Sequence, residues 1–249
     1  MLEAIGLTKT YRSLFSKPVQ VLRGLTFTAP NGAVTGLIGG NGSGKTTTFR
    51  ICAGLLPSES GTVRVDGHDV RTAANEVREV LSLLPEARGL RPELRCRQVL
   101  QQIGMLRGLS GFALSTRIGA LAERLHMEGF IDRKASNLSR GQAAKISLGR
   151  ALIADTQNLI LDEPTTGLDV IASEAIRALI VELRGRNRCI ILSTHQIDDI
   201  LGLCDQIAIL HEGVILSSGP PMRLAEAAGY SDFRSYLLSV FQGDKADAV

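Results

Sequence analysis

Apolar and polar residues alternate along the first third of the chain, and this pattern predicts β-strands. Residues 2–11 and 19–29 alternate in this way, and a Pro-Asn-Gly turn at 30–32 ends the second stretch. The next stretch, 33–39, is almost continuously apolar, which is typical of a strand buried on both faces of a parallel sheet. Residues 61–67 predict a further strand. The chain therefore begins as a set of strands joined by turns.

The pattern changes to a helical period from about Gly89 to Ile153. Residues 96–109, 115–127 and 141–153 place apolar side chains at helical spacing, and no convincing strand lies between them. Strands and helices alternate again beyond this stretch, which predicts right-handed crossovers and a mostly parallel sheet. We therefore predict an α/β fold whose core is interrupted by a helical insertion.

The chain length of 249 residues fits one large domain, or one domain with an inserted lobe. We divide this single domain into an α/β lobe of residues 1–88 and 154–219, a helical lobe of residues 89–153, and a C-terminal tail of residues 220–249. The tail is expected to contain two short helices and to end in a frayed polar segment. Ligands of mostly parallel sheets bind where the strands end, so the loops at those ends are the expected carriers of chemistry.

Composition and charge narrow the classes of partner. The 28 basic and 25 acidic residues leave a net charge of +3, which is too small to indicate a nucleic-acid partner. The four cysteines form no C-x-x-C pair, so we expect reduced thiols of a cytosolic protein rather than a disulfide frame or a zinc site. We expect no signal peptide, because the first residues lack a sustained apolar core, and no membrane span, because no run of about 18 apolar residues occurs. Any association with a membrane is therefore expected to run through a partner.

A glycine-rich loop with the pattern G-x-x-x-x-G-K-[ST] follows the apolar strand and precedes a predicted helix. Its glycines let successive backbone N–H groups point at one phosphate chain, and the positive end of the helix adds to that field. We expect Lys45 to reach the β- and γ-phosphates and the Thr46 hydroxyl to ligate Mg²⁺. A bare glycine-rich turn is the alternative. The residues predicted to bind the nucleotide here are Gly39, Gly40, Asn41, Gly42, Ser43, Gly44, Lys45, Thr46 and Thr47.

Two carboxylates end another apolar strand, in the sequence NLILDEP at 158–164. Asp162 is expected to hold Mg²⁺, directly or through water, and Glu163 to act as general base toward the attacking water. The alternative is an acidic pair that caps a helix. His195 follows a third apolar strand, where it could hydrogen-bond the γ-phosphate, and the alternative for this residue is a purely structural histidine.

A second candidate anion site lies in the segment 137–152. Ser139, Gly141 and Gln142 stand at the predicted start of a helix, and a hydroxyl, a bare backbone and an amide at that place form an anion site. The alternative, which is compatible with the first interpretation, is that Ser139 caps the helix. One chain thus carries two candidate phosphate sites.

Together these segments resemble the motifs of the nucleotide-binding subunits of ATP-binding cassette (ABC) transporters, over almost the whole chain. Walker A corresponds to Gly39–Thr46, the signature to LSRGQ at 138–142, Walker B with its glutamate to LILDEP at 159–164, the D-loop to GLD at 167–169, and the switch histidine to His195. Five motifs in this order, at spacing like that of the family, make the resemblance specific.

The resemblance implies a fold and a reaction. The fold is a P-loop NTPase (RecA-like) with a mostly parallel sheet, a small antiparallel β-subdomain and an inserted helical subdomain. The reaction is the hydrolysis of ATP to ADP and phosphate with Mg²⁺, and its catalytic residues are Glu163, His195 and Lys45. Tyr11 stands where the family places an aromatic that stacks on adenine, and Asp169 of the D-loop belongs to the nucleotide site.

The resemblance also implies partners. Two cassettes, identical or paralogous, close head to tail around two ATP, and each ATP lies between the P-loop of one chain and Ser139, Gly141 and Gln142 of the other. This arrangement explains the two phosphate sites. A membrane permease is the other expected partner, docked in the groove between the lobes near 86–97, and it would hold the chain at the cytoplasmic face of the cell membrane. The alternative is a soluble ABC ATPase that serves as a scaffold in an assembly system.

Two residues depart from the family pattern. Arg140 replaces the second glycine of the signature, so it changes nothing if it points outward and adds a phosphate contact if it points inward. Glu86 replaces the usual glutamine, and we expect it to reach Mg²⁺ or the attacking water while adding negative charge near the phosphates. The LPE sequence around Glu86 and the C-terminal tail resemble a subset that works with export-type (ABC-2-like) permeases, which favours an exporter.

Overall fold

The computed structural model describes residues 1–13, 16–86 and 89–242, so the polar end of the tail that we expected to fray lies outside the described residues. The strands in these residues are β1 Leu2–Ser13, β2 Ser16–Ala29, β3 Val34–Ile38, β4 Ser60–Val65, β5 His68–Asp69, β6 Leu81–Leu84, β7 Asn158–Asp162, β8 Cys189–Ser193, β9 Gln206–His211 and β10 Val214–Gly219. The α-helices in the same residues are α1 Lys45–Cys52, α2 Ala74–Val80, α3 Cys96–Leu106, α4 Gly111–Arg124, α5 Arg140–Leu152, α6 Val170–Gly185, α7 Ile197–Leu203, α8 Pro221–Ala227 and α9 Phe233–Gln242.

A six-stranded sheet in the order β10-β9-β3-β8-β7-β6 forms the centre of the fold. Neighbouring strands from β9 to β6 are parallel, and only the edge strand β10 runs antiparallel to its neighbour. Every residue of β3, β7 and β8 is buried, as their nearly continuous apolar sequences predict for strands covered on both faces. The predicted mostly parallel sheet is confirmed, and its central strands β3, β7 and β8 all end at the same edge.

A smaller antiparallel sheet, in the order β2-β1-β4-β5, packs over one face of the central sheet. The hydrophobic core between them includes Leu25 and Val63 of the small sheet, Phe49 of α1 and Ile191 of β8. Burying an aliphatic or aromatic side chain of this size stabilises the fold by about 1.5–3 kcal/mol relative to leaving it exposed. This packing holds α1, and with it the loop that precedes α1, against the ends of the central strands.

Helices α3, α4 and α5 pack together and against the other face of the central sheet. Leu100, Ile118, Met127 and Leu148 lie in the hydrophobic core that they share with the sheet strands and α6. A gap of roughly one turn separates the apolar positions of each helix, which is the spacing that predicted these helices. The predicted helical insertion is therefore observed, in the described residues between β6 and β7, as the three α-helices α3, α4 and α5 and a short 3₁₀ helix, Ala135–Asn137.

Charged side chains join the end of α5 to the central sheet. Arg117 of α4 donates to the backbone carbonyls of Leu152 and Ile153, at 3.1 and 3.2 Å, where α5 ends. Asp155 then forms ion pairs with Arg117, at 2.8 Å, and with the buried Arg188. Burial raises the pKa of Asp155, but the hydrogen bonds from the two arginines outweigh it and hold that pKa at about 2.

All four cysteines are free and buried. Burial raises the pKa of Cys52 and Cys204 to about 12 and that of Cys189 to about 11, and it also raises the pKa of Cys96. These thiols are packing groups at neutral pH. Within the described part of the chain, no helix has both the length and the apolar character that a membrane span requires.

Candidate functional site

The glycine-rich loop connects the end of β3 to the start of α1. Gly42 and Gly44 have φ of 79° and 112°, a backbone region that side chains disfavour, and Gly44 is the residue that precedes the first helical turn. A Cβ at Gly39 would lie 2.4 Å from the carbonyl oxygen of Leu210, so only glycine fits there. Lys45 folds back over the loop, and its Nζ donates to the carbonyls of Gly39 and Gly40 at 2.7 and 3.1 Å.

The loop offers polar groups that suit a phosphate chain. The Ser43 hydroxyl is buried and has no hydrogen-bond partner among the described residues. A Cβ at Gly40 or Gly42 would meet nothing within 4 Å, so the backbone is open on that side. A buried donor without a partner is costly, and an anion oxygen in this loop would satisfy it. The residues present therefore fit the phosphates of a nucleotide.

The ends of β7 and β8 are joined by side chains, because Asp162 and Ser193 are register partners in the two parallel strands. The Ser193 hydroxyl donates to Asp162 Oδ1 at 2.6 Å and accepts from the backbone N–H of Glu163 at 2.9 Å. The Thr46 hydroxyl donates to Asp162 Oδ2 at 3.0 Å, which connects the first turn of α1 to the same carboxylate. Asp162 is thus fixed from both sides.

Glu163 leaves the strand with φ of 51°, which turns its side chain away from that of Asp162. Glu163 Oε2 accepts a hydrogen bond from the Thr166 hydroxyl at 2.5 Å and lies 3.0 Å from His195 Nδ1. The Glu163 side chain is 10% exposed and that of His195 is 63% exposed. The carboxylate is therefore held at the wall of the site, while the imidazole stands at its mouth.

These residues line one cavity of about 470 Å³. Its lining residues include Asn41, Gly42, Ser43, Gly44, Lys45, Thr46, Thr47, Glu86, Asp162, Glu163 and His195. The structure thus brings together most of the residues that the sequence predicted for the nucleotide, the metal and the catalysis. Gly39 and Gly40 belong to the same loop but contribute carbonyls to Lys45 instead of lining the cavity. The predicted adenine contact, Tyr11, is exposed, and its hydroxyl lies 3.3 Å from Thr47 Oγ1.

The second candidate anion site lies elsewhere. Among the described residues, none of Ser139, Gly141, Gln142 and Asp169 lines the 470 Å³ cavity. Ser139 caps α5, because Gln142 N–H donates to its hydroxyl at 3.2 Å and Ser139 N–H donates to Gln142 Oε1 at 3.1 Å. The predicted cap is confirmed, and it occupies one hydrogen-bond position on each of the two side chains. The exposed Arg140 lies between them in the first turn.

The start of α5 packs against the start of α6. A Cβ at Gly141 would lie 3.2 Å from the Cβ of Ala172 and 4.0 Å from Asp169 Oδ2, so the bare backbone allows this close approach. Asp169 caps α6 by accepting a hydrogen bond from Ala172 N–H at 2.8 Å. The signature residues and the D-loop therefore form one surface patch within the chain, which we call the signature corner, defined by Ser139, Gly141, Gln142 and Asp169.

A family model described as ABC transporter matches residues 22–166. The chain belongs to the ABC transporter family. The matched part spans the glycine-rich loop, the signature corner up to Gln142, and the strand that ends at Asp162, and it stops before Asp169 and His195. The chain is an ATP-binding subunit of this family, and ATP hydrolysis is the activity that the family assigns to it.

Related proteins agree with this assignment. The ABC transporter ATP-binding protein NatA of Bacillus subtilis (strain 168) is 33% identical over 224 residues, which cover 90% of this chain and 91% of NatA. The Nod factor export ATP-binding protein I of Burkholderia lata is 34% identical over 207 residues, which cover 83% of this chain and 68% of that protein.

Solved structures show the same fold. An ATP-binding subunit of an ABC transporter superposes with a TM-score of 0.86 at 26% identity, covering 97% of this chain and 99% of the other. A dimeric ATP-binding cassette in a post-hydrolysis state, bound to ADP and Pi, superposes with a TM-score of 0.81 at 22% identity, covering 88% of this chain and 98% of the other. The likeness to the second structure concerns the fold.

The ABC cassette also offers oxygen ligands that suit Mg²⁺. The Thr46 hydroxyl and the Asp162 carboxylate lie 3.0 Å apart, and Glu86 lines the same cavity. Among residues 1–13, 16–86 and 89–242, no group of three or more acidic, histidine or cysteine side chains is arranged to hold a metal. Magnesium at phosphate sites takes one or two protein oxygens and completes its shell with phosphate and water, so the residues present fit it.

Three residues at the site were not predicted from the sequence of this ABC cassette: Ser193, Thr166 and Asp199. Ser193 and Thr166 hold Asp162 and Glu163, as described above. Asp199 is buried behind the site and accepts a hydrogen bond from the hydroxyl of Thr165. The only sequence signal for Ser193 is that it ends an apolar strand, as Asp162 does, so that parallel pairing places the two residues side by side.

Proposed function

We propose that this chain powers export through a separate membrane permease, by closing with a second cassette around two ATP and hydrolysing them. The observation that supports the proposal most directly is the cavity in which Lys45, Asp162, Glu163 and His195 meet. It combines a phosphate loop, a carboxylate suited to a metal, a candidate general base and a side chain that can sense the γ-phosphate.

In the proposed hydrolysis, Lys45 Nζ leaves the carbonyls of Gly39 and Gly40 and binds β- and γ-phosphate oxygens. Glu163 accepts the proton of the attacking water, whose oxygen forms the new bond to the γ-phosphorus as the bond to the β-phosphate oxygen breaks. His195 hydrogen-bonds the γ-phosphate from the mouth of the cavity. Its contact with Glu163, at 3.0 Å, shows that both side chains reach the same place.

We assign the metal contact to Thr46 and Asp162, with Glu86 as a further oxygen near the same phosphates. Bound Mg²⁺ would supply charge neutralisation for the β- and γ-phosphates. The chain's own contribution is to hold the Asp162 carboxylate in place through the hydroxyls of Ser193 and Thr46. This fixed orientation avoids reorganisation when the substrate arrives.

The proposed dimer is supported by the exposed surface beside the signature corner. Val170 and Ile171, at the start of α6 next to Asp169, are 81% and 84% exposed. Adjacent large apolar side chains at such exposure suit a surface that a partner covers. The signature corner lies outside the chain's own nucleotide cavity. In the proposed dimer, Ser139, Gly141 and Gln142 would bind the ATP of the partner cassette, as the family resemblance implies.

The proposed permease contact is supported by a second cavity of about 420 Å³, which lies between α1, α2, β6 and the end of α3. Phe49, Leu55 and Val77 give it an apolar lining, and Leu106, which directly precedes the lining residue Arg107, is 81% exposed. Glu86 lines this cavity as well as the nucleotide cavity, so a permease bound here would lie close to the phosphates. The contact would hold the chain at the cytoplasmic face of the cell membrane. The names of the Nod factor relatives favour export.

The hydrolysis step is tested by Glu163→Gln in the purified full chain. We expect turnover to fall by at least about 100-fold, because the amide cannot accept the proton, while ATP affinity stays within about threefold. Glu123→Gln, at an exposed carboxylate of α4, is the matched control and should behave as wild type. Full turnover in Glu163→Gln would remove this residue from the role of general base.

The transport step is tested by isolating the tagged chain from its native cells in mild detergent and identifying what comes with it. We expect a multi-span membrane protein at near-equal amount, and Leu106→Asp should abolish its recovery. Leu216→Asp is the matched control, since Leu216 is exposed on β10, at the opposite edge of the central sheet from β6. Soluble partners alone, with the chain absent from membranes, would support the scaffold alternative and contradict the transport proposal.

A further inference from the structure

A buried carboxylate, Asp199, lies behind the nucleotide cavity, and the proposed hydrolysis does not use it. Asp199 belongs to the first turn of α7 and is 1% exposed. Its Oδ1 accepts a hydrogen bond from Arg177 Nε of α6 at 2.6 Å. The same guanidinium lies 3.4 Å from Glu174 Oε2 and 3.5 Å from Gln196 Oε1. Arg177 therefore compensates the charge of the buried Asp199 carboxylate and connects this carboxylate to α6.

The other carboxylate oxygen of Asp199 connects two loops. Asp199 Oδ2 accepts a hydrogen bond from Thr165 Oγ1 at 2.5 Å and lies 3.3 Å from Thr194 Oγ1, which also points its hydroxyl at it. Both threonines are buried. Thr165 follows Glu163 by two residues, and Thr194 directly precedes His195. A carboxylate accepts stronger hydrogen bonds from hydroxyls than a neutral acceptor does.

The same two loops also meet at the cavity, where His195 Nδ1 lies 3.0 Å from Glu163 Oε2. In the proposed hydrolysis this contact opens, because Glu163 turns to water and His195 to the γ-phosphate. The buried contact through Asp199 involves neither of these side chains. It can therefore persist when the nucleotide is bound, and it lies where water does not compete for its hydrogen bonds.

We propose that Asp199 is a positioning residue, which sets the distance between the loop of Glu163 and the loop of His195 through the hydroxyls of Thr165 and Thr194. The proposal rests on the roles proposed above for Glu163 and His195. Its functional consequence is that the base and the γ-phosphate sensor keep a fixed separation during turnover. Misplacing a catalytic group by about 1 Å costs up to about 100-fold in rate.

The test uses Thr165→Val and Thr194→Val in the full chain, singly and together, because valine keeps the shape of threonine and removes its hydroxyl. Each single variant is expected to lower kcat by about ten- to 100-fold, with the KM for ATP changed by less than about twofold. The double variant is expected to be no slower than the worse single variant, because one lost contact already releases the loops.

Thr156→Val is the matched control. Thr156 is as buried as the other two threonines, and its hydroxyl donates to the Asn158 carbonyl at 3.1 Å. This variant loses a buried hydrogen bond of its own and should keep the wild-type kcat. If Thr165 and Thr194 served stability alone, Thr165→Val, Thr194→Val and Thr156→Val would all have a lower melting temperature and an unchanged kcat. This result would overturn the proposal.

Amide hydrogen exchange of the free chain gives a second readout, which does not depend on turnover. Thr165→Val is expected to speed exchange in its own loop and also at 194–196, and Thr194→Val is expected to speed exchange in its own loop and also at 165–168. Exchange that changes only in the mutated loop would contradict the proposal. Glu163→Gln distinguishes failure of the proposed hydrolysis from failure of the proposed role of Asp199. Full turnover in Glu163→Gln would refute the hydrolysis mechanism. An inactive Glu163→Gln together with normal turnover in the threonine variants would refute only the role of Asp199.

Discussion

The nucleotide cavity and the signature corner are both candidate phosphate sites, but the chain builds them in opposite ways. In the cavity, Asp162 accepts hydrogen bonds from Ser193 and Thr46, so three separate elements converge on one carboxylate. In the signature corner, the side chains of Ser139 and Gln142 each accept a hydrogen bond from the other residue's backbone N–H, within one helical turn. The first site is organised within one chain, and the second is a helix end that stays open toward solvent.

This difference follows from the way each site is positioned. The cavity lies at the ends of β3, β7 and β8, whose buried register fixes the spacing of every group that follows them. The signature corner depends on the first turn of α5 and its contact with α6. A helix end supplies free N–H groups and a positive field but no cavity. A second chain is what would complete such a site, which agrees with the proposed dimer.

The largest effect is expected from Lys45→Ala, which tests whether the nucleotide cavity holds the ATP. Lys45 is the lysine of the glycine-rich loop and lines the cavity, so its loss is expected to weaken ATP binding by at least about 100-fold, equivalent to about 3 kcal/mol. Binding of ATP to the purified chain is measured by calorimetry. The stability should change little, because Lys45 bonds only to two loop carbonyls in the described contacts.

Lys9→Ala is the matched control for this experiment. Lys9 Nζ donates to the Pro57 carbonyl at 2.7 Å, so it also folds onto a backbone oxygen, but it does not line the nucleotide cavity. This variant should bind ATP as the wild type does. Equal affinities of Lys45→Ala and Lys9→Ala would mean that the glycine-rich loop does not hold the phosphates.

The sequence predicted the residues that line the nucleotide cavity better than the residues that hold them in place, and the reason is physical. The glycine-rich loop and the strand ending at Asp162 are local patterns, so their chemistry is visible in a few adjacent residues. Ser193 acts only because β8 pairs with β7 in one register, and Asp199 meets Thr165 across 34 residues of sequence. Contacts of this kind depend on tertiary packing, and single-sequence patterns carry no record of them.

At the signature corner, the local structure was predictable from the sequence, but the binding role was not. The cap of α5 by Ser139 was predicted from the sequence and is observed, because a serine with a glutamine three residues later is a local signal. The assignment of Ser139, Gly141 and Gln142 to a partner's ATP came from the family resemblance, and it stays a prediction. The helical segment was likewise predicted from its apolar period, whereas the arginines that fix its end, Arg117 and Arg188, were not.

An effect of intermediate size on turnover is expected from Ser139→Asp, which tests whether the signature corner faces a phosphate. Aspartate caps helices as well as serine does and its charge suits the helix start, so the melting temperature is expected to stay close to that of wild type. The added carboxylate would repel the γ-phosphate of a partner's ATP, so we expect turnover to fall by at least about tenfold while ATP binding to the single chain is unchanged. Turnover and binding are measured on the same preparation.

Ser110→Asp is the control for charge at a helix start. Ser110 is the exposed N-cap residue that directly precedes α4, and it lies outside the signature corner. Ser139→Ala adds a second comparison, because it removes the cap and should cost about 1 kcal/mol of stability. Normal turnover in Ser139→Asp would show that this helix end does not face a phosphate, and the head-to-tail arrangement would then lose its basis in this chain.

The smallest expected effect concerns the segment between α5, which starts at the signature corner, and β7, which ends at the nucleotide cavity. Asp155 in this segment pairs with Arg117 and Arg188. The pKa of Asp155 is held at about 2, below its ordinary value, so its ionised form stabilises the fold above the unfolded pKa and this stabilisation is lost as the pH falls from about 3.8 to about 2. Because the Asp155 side chain is half exposed, solvent screening limits the effect, and Asp155→Asn should cost about 1 kcal/mol at pH 7.

Urea unfolding at a series of pH values checks this prediction, with Asp132→Asn as the matched variant of a surface ion pair with Arg97. The difference in free energy of unfolding between wild type and Asp155→Asn should be constant from pH 7 to about pH 5 and should shrink below about pH 4. ATP affinity should be unchanged in Asp155→Asn, because the segment between α5 and β7 fixes where α5 ends without entering the nucleotide cavity. A loss of ATP affinity in this variant would instead mean that the cavity and the signature corner are coupled within one chain, before any partner closes on them.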